Sequence, residues 1–222
     1  MNGILGLRGK KMAKIADTSA LHRALPGRIR PLLSSEMPLL EQHLLRLDPE
    51  SRHDRFNGFT DESFLRRYAA KCRNDGTIVI AYVEDGKVRA AAELHPPEKV
   101  SDDLPEIAFS VESGLRRLGV GTLLFERLIG EARRRGYQKL RITTGSSNEG
   151  MRALAHKFGA NLSFYRGEST GTIDLTQPEL ADMGRIPPVG PADLAAAAVS
   201  FNQTYWKMLS DIYTTLKPAR VA

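Results

Sequence analysis

Arg116 and Arg117 stand three and two residues before Gly119, Gly121 follows, and the chain then runs into apolar residues at helical spacing: Val120, Leu123, Leu124, Leu128 and Ala132. The first N–H groups of a helix have no intrahelical partner, and the helix dipole favours negative charge there. Glycine lets a bulky anion reach bare backbone, and arginine offers forked donors suited to phosphate oxygens. Together these residues read as a cradle for a diphosphate. A phosphate loop of the nucleotide-hydrolase kind needs Lys-Ser/Thr after its last glycine, and "GTLLF" lacks it. A dinucleotide fingerprint needs a third glycine where Leu124 stands and an acidic residue about 20 positions on, where Lys139–Arg141 are basic or apolar. A turn whose glycines only relieve strain is the remaining alternative.

The elements around this stretch follow from periodicity. "RIRPLL" (28–33) reads as a strand, and Ser34 or Ser35 caps a helix carrying Leu39, Leu40, Leu44 and Leu47 until Asp48-Pro49 stops it. A second helix follows Thr60, with Phe64, Leu65, Tyr68 and Cys72 on one side. "TIVIAYVEDGKVRAAAEL" is a hairpin turning at Asp85-Gly86, and "EIAFSV" (106–111) is the strand before the cradle. The long helix ends at Gly136, "KLRITT" is a strand, a helix starts at Asn148 and ends at Gly159, and 161–175 form a final hairpin around Gly167–Gly171. The order β-α-α-β-β-β-α-β-α-β-β predicts an α/β (α+β) fold with a mixed, mostly antiparallel sheet and one parallel crossover.

Composition sets bounds. With 41% apolar and 26% charged residues in 222, the chain reads as one main domain (28–175), preceded by a basic extension (1–27) and followed by a linker and helical tail (176–222). The tail stripe Leu194, Ala198, Phe201, Tyr205, Met208, Ile212 and Leu216 either docks on its own domain or pairs two copies in a homodimer. No run is long and apolar enough for a membrane span, and the start lacks a cleavable leader, so a cytoplasmic, membrane-free protein is expected. The net charge is +6, yet residues 1–30 (seven basic, one acidic) and 116–141 (eight basic, two acidic) each carry that much alone. No recognition motif accompanies the charge, which argues against a nucleic-acid partner. Cys72 is the single cysteine, so neither a disulfide nor a cysteine-based metal site is expected, and His22, His43, His53, His95 and His156 show no metal spacing.

At this point the sequence resembles the GCN5-related N-acetyltransferases. Their signature, Gln/Arg-x-x-Gly-x-Gly/Ala, stands here as Arg116-Arg117-Leu118-Gly119-Val120-Gly121, between "EIAFSV" and "TLLFERLIGEARRRGY", and "NEGMRALAHKFGA" matches the family's Asn-led helix. The resemblance spans about residues 28–175 and implies the family's fold with a seven-stranded sheet. It implies acetyl-CoA as cosubstrate and no metal, with the pyrophosphate on the backbone of Arg116, Arg117, Leu118, Gly119, Val120, Gly121 and Thr122. Phe109, Ser110 and Val111 would hold the pantetheine arm and, at a family bulge, the oxyanion; Asn148 would lie near the thiol end while also capping its helix. Glu106 matches the glutamate base of lysine-acetylating members, with Glu93 next in line. A base is needed because an amine with pKa near ~10.4 is protonated at neutral pH.

Ala155 stands where many members carry a tyrosine acid for the thiolate; Tyr165, Ser146 or Ser147 could replace it, though each also reads as structural. "IRPLLSSEMPLLEQHLLRLDPESRHDRF" resembles the acetyltransferase domains of bacterial protein-lysine acetyltransferases, which favours a protein lysine over a small-molecule amine as acceptor. A non-catalytic acetyl-CoA sensor is the alternative that Ala155 motivates. His95, before Pro96-Pro97, reads as a loop histidine near the acceptor side.

Overall fold

A computed structural model describes residues 25–97 and 104–177. The chain divides into Met1–Arg185 and Ile186–Ala222, and every described residue belongs to the first unit. The expected basic extension and the helical tail with its pairing stripe lie outside the described residues.

The elements run β1 (Arg28–Pro31), a 3-10 turn (Ser34–Glu36), α1 (Met37–Arg46), α2 (Pro49–Phe56), α3 (Glu62–Asn74), β2 (Ile78–Glu84), β3 (Lys87–His95), β4 (Glu106–Val111), a 3-10 turn (Ser113–Leu115), α4 (Val120–Arg134), β5 (Lys139–Gly145), α5 (Glu149–Lys157), β6 (Asn161–Tyr165) and β7 (Glu168–Asp174). The sheet has seven strands in the order β1-β2-β3-β4-β5-β7-β6, all antiparallel neighbours except β4 and β5. That is the mixed sheet with one crossover expected from the sequence.

Each face of the sheet has its own core. Phe125, Leu128 and Ile129 of α4, with Ala155 of α5 and Phe158 after it, cover one face against Ile80, Leu94, Ile107 and Ile142. Leu40 and Leu44 of α1, with Leu65 and Cys72 of α3, cover the other against Val79, Ala81 and Ala91. A fully buried Leu, Ile or Phe side chain stabilises by roughly 1.5–3 kcal/mol before conformational entropy is counted. Strand alternation therefore decides which side chains meet which helices.

Three helices, not two, precede β2. Asp48-Pro49 ends α1 and at once begins α2: Asp48 Oδ1 accepts from Ser51 N at 2.8 Å, and Pro49 takes the first-turn place where its missing N–H costs nothing. Asp48-Pro49 is thus a helix start as well as the expected stop. Ser34 and Ser35 lie in the 3-10 turn and cap nothing, and the cap of α3 is Asp61, accepting from Phe64 N at 2.7 Å, not Thr60. The last hairpin turns at Arg166-Gly167, and Gly171 lies inside β7, where a Cβ would sit 2.4 Å from the carbonyl of Asn161.

Candidate active site

β4 and β5 pair only at Glu106–Arg141 and Ile107–Ile142 and then part. Beyond that fork the backbone of Ala108–Val111 has no strand partner among the described residues on the side away from β3. β4 keeps continuous register with β3 from Glu106 to Val111, so the bulge expected there is absent; the register shift lies between Tyr82 and Val83 of β2. A parted parallel pair opens a backbone edge by itself and needs no bulge. At the fork lies a cleft lined by Asp54, Arg55, Ile107, Ala108, Phe109, Thr143, Thr144, Asn148 and Met151. Phe109 forms its wall and stacks on Phe125, centroids 4.9 Å apart, which stacks on Phe158 at 4.1 Å. Val111 packs half-buried on the α4 core, and Ser110 points to the opposite face, its Oγ 2.9 Å from His43 Nε2.

At the far end of β4 the chain reaches α4 through backbone that only special residues tolerate. Arg117 has φ 62° and Gly119 φ 81°. Gly119 sits at the helix start with no side-chain cap, so the N–H groups of Val120, Gly121 and Thr122 have no intrahelical acceptor. A Cβ on Gly121 would meet only Leu154 Cδ2 at 3.5 Å, ordinary contact, so the protein's own packing does not demand glycine there. Val120 is buried, whereas Leu118 is exposed, and Lys157 Nζ lies 3.3 Å from Thr122 Oγ1. Arg116 and Arg117 are both exposed beside the helix start, and Arg116 donates to Ser51 Oγ of α2 at 2.6 Å. These features fit a diphosphate with a strand-like arm running from it to the fork. From Val111 back to Ala108 is about 10 Å at ~3.3 Å per residue.

Glu112, which the sequence reading passed over, fixes the loop between strand and cradle. Its carboxylate takes Arg89 Nε at 2.5 Å and Arg46 at 3.1 Å, lies 3.3 Å from His43 Nδ1, and its N–H donates to the Arg89 carbonyl. Burial pushes its pKa up, but His43 and Arg89 outweigh this and hold it at about 2. Only the folded chain brings α1, β3 and the loop together, so spacing carried no signal for it.

On the face of β3 and β4 toward the N-terminal helices lies a second charged group. Glu93 is fully buried: its Oε2 accepts from Arg55 at 2.8 Å and from Tyr68 OH at 2.5 Å, and lies 3.2 Å from His95 Nε2. His95 Nδ1 lies 3.0 Å from Thr77 Oγ1. Burial alone would raise the Glu93 pKa; Arg55 and His95 bring it well below the usual carboxylate range. Burial pushes the phenol of Tyr68 well above its ordinary value. Glu93, the second base candidate, is thus a spoken-for counter-ion and a poor proton acceptor. His95 closes β3 as part of this network, so it is not the loop histidine of the sequence reading. Glu106 is half-buried, opposite His95 in register and next to the fork residue Ile107, though outside the cleft's own lining.

Cys72, Glu93 and His95 bring ligand-type atoms within 4.8 Å of one another, a grouping that sequence spacing did not reveal. A cation fits poorly: Arg55 already holds the carboxylate, and burial pushes the Cys72 thiol up to about 12. Asn148 is both cap and cleft wall: Oδ1 accepts from Met151 N at 2.9 Å, and Nδ2 donates to the Asp54 carbonyl at 3.2 Å. Ala155 is fully buried in the α4 core. Tyr165, offered as a substitute acid, is exposed on β6 under Arg166 and does not line the cleft.

The family model described as acetyltransferase (GNAT) family matches residues 42–160, more than half of the chain. The chain is 27% identical over 135 residues to the acetyltransferase PA5475 of Pseudomonas aeruginosa, covering 59% of this chain and 73% of that one. Among solved structures it is similar to the GNAT domain of S. lividans PAT (TM-score 0.57, 21% identity, 67% of this chain and 90% of that one). It is also similar to yncA of Salmonella typhimurium, a putative acetyltransferase solved with its cofactor acetyl-CoA (TM-score 0.51, 20% identity, 69% and 96%). At these identities the two structures speak for the fold.

Proposed function

Because the chain belongs to the acetyltransferase (GNAT) family and is an acetyl-CoA-dependent acetyltransferase, we propose that it transfers the acetyl group directly to a primary amine, a protein lysine foremost. The observation that carries this reading is the fork after Ile107–Ile142, which leads from an uncapped helix start to a cleft beside a glutamate. In this reading the backbone of Arg116–Thr122 holds the diphosphate, and the open edge of Phe109–Val111 receives the pantetheine arm. Asn148 closes the wall at the thiol end, and Glu106, at the mouth of the fork, deprotonates the incoming ammonium. The resemblance of residues 29–56 to protein-lysine acetyltransferase domains supports a polypeptide acceptor.

A screen of acetyl-CoA turnover, read as free thiol, over amino acids, polyamines, aminoglycosides and lysine peptides tests this. Lysine peptides are expected to turn over, with Glu106→Gln lowering kcat about 100-fold, within the range of general base catalysis. Acetyl-CoA binding without turnover of any amine would sink the reading.

A further inference from the structure

Resting on the acetyl-transfer reading above, we propose that Asp54 is the residue that carries the acceptor's second N–H proton to the departing thiol of CoA. Collapse of the tetrahedral adduct is faster when the departing sulfur receives a proton, and the helix position that would hold a tyrosine for it is Ala155, fully buried in the core. Among the residues lining the cleft at the fork, Asp54 alone has a side chain that can both take and release a proton. Arg55 keeps its charge, and Thr143, Thr144 and Asn148 do not titrate in water's working range.

Asp54 is positioned by its backbone, not by its carboxyl. Its carbonyl accepts from Asn148 Nδ2 at 3.2 Å, and three residues earlier Ser51 Oγ accepts from Arg116, so α2 lies fastened across the cleft at two points. Among the described residues nothing hydrogen-bonds the Asp54 carboxyl, which leaves it free for substrate. Burial raises its pKa; Glu50 and Asp48 push the same way, and Arg116 and His53 pull back without cancelling the effect. From β4 and β5 it faces neutral groups, and the charge of Arg55 beside it is already bound to Glu93. A diphosphate on Arg116 would weaken the pull on Asp54, so a loaded donor makes this carboxylate a stronger proton acceptor.

The step balances. Glu106 takes one proton from the ammonium, and the freed lone pair forms the C–N bond as the carbonyl π pair moves to oxygen. The Asp54 carboxylate takes one of the adduct's two N–H protons, and the other stays on the amide nitrogen. The carbonyl re-forms as the C–S bond breaks with its electron pair on sulfur, and Asp54 gives that proton to sulfur. Amide and thiol leave, Asp54 is again a carboxylate, and Glu106 passes its proton to water.

The test uses Asp54→Asn in the full chain with acetyl-CoA and a lysine peptide, or spermidine where the peptide is inert. Expected are a kcat lowered about 100-fold, an acetyl-CoA Kd within twofold by calorimetry, and an unchanged melting temperature. With the selenoester analogue of acetyl-CoA, whose selenolate leaves without a proton, the deficit should shrink to less than about fivefold, and Asp54→Glu should recover at least about tenfold in kcat. A variant within threefold of the parent, or the same deficit with the selenoester, overturns the assignment of Asp54 alone. A parent that turns over no amine overturns the acetyl-transfer reading and this proposal with it.

Discussion

Gly119 and Gly121 sit two residues apart and serve different ends. At Gly119 the backbone itself asks for glycine, because φ is 81° and an L side chain there costs about 1–2 kcal/mol. At Gly121 the backbone is helical and the nearest protein atom leaves room for a methyl group, so under the proposed reading the demand for glycine comes from the diphosphate. Gly119→Ala should therefore lower the melting temperature. Gly121→Ala should hold or raise it, since alanine favours a helix by up to about 1 kcal/mol, yet weaken acetyl-CoA tenfold or more in calorimetry. Parental acetyl-CoA affinity in Gly121→Ala would show that the cradle lies elsewhere. Charged residues divide as well: Glu93 and Glu112 are held by fixed partners, whereas in the proposed reaction Glu106 and Asp54 handle the protons.

At the scale of elements, α2 decides the site although it is only eight residues long. A helix this short is marginal in isolation, so its cap and its tertiary contacts hold it. Asp48 binds both the N–H of Ser51 and its Oγ, at 2.8 and 2.6 Å, and Ser51 Oγ in turn receives Arg116. Asp48→Ala should cost about 1 kcal/mol in urea unfolding and also weaken acetyl-CoA binding, because Arg116 loses its anchor. A loss of stability with unchanged acetyl-CoA affinity would uncouple α2 from the donor site.

At the scale of the whole molecule, two carboxylates hold its layers together across long sequence separations: Glu93 ties β3 to α2 and α3, and Glu112 ties the loop after β4 to α1 and β3. Both have folded pKa values of about 2, below the ~4.3 of an unfolded glutamate. Their stabilisation is thus complete above the unfolded value and lost as pH falls from about 4.5 toward 2. Unfolding free energy should drop across that window, and Glu112→Gln should flatten the drop while lowering stability at pH 7; an equal slope in the variant would contradict this account. The sequence by itself determined the elements whose signals are local: the Asp85-Gly86 hairpin, strand 106–111, the glycine-led helix and the Asn148 cap all stand where period, turn chemistry and capping put them. It showed only the stop in Asp48-Pro49, since a helix stop and a helix start use the same residue types and only packing of the next eight residues distinguishes them. What tertiary structure alone decided is the fork of β4 and β5 and the company kept there. Asp54, Arg55 and Asn148 meet because strand pairing ends at Ile107 and α2 folds back over the gap, an arrangement made by contacts between residues up to 94 positions apart.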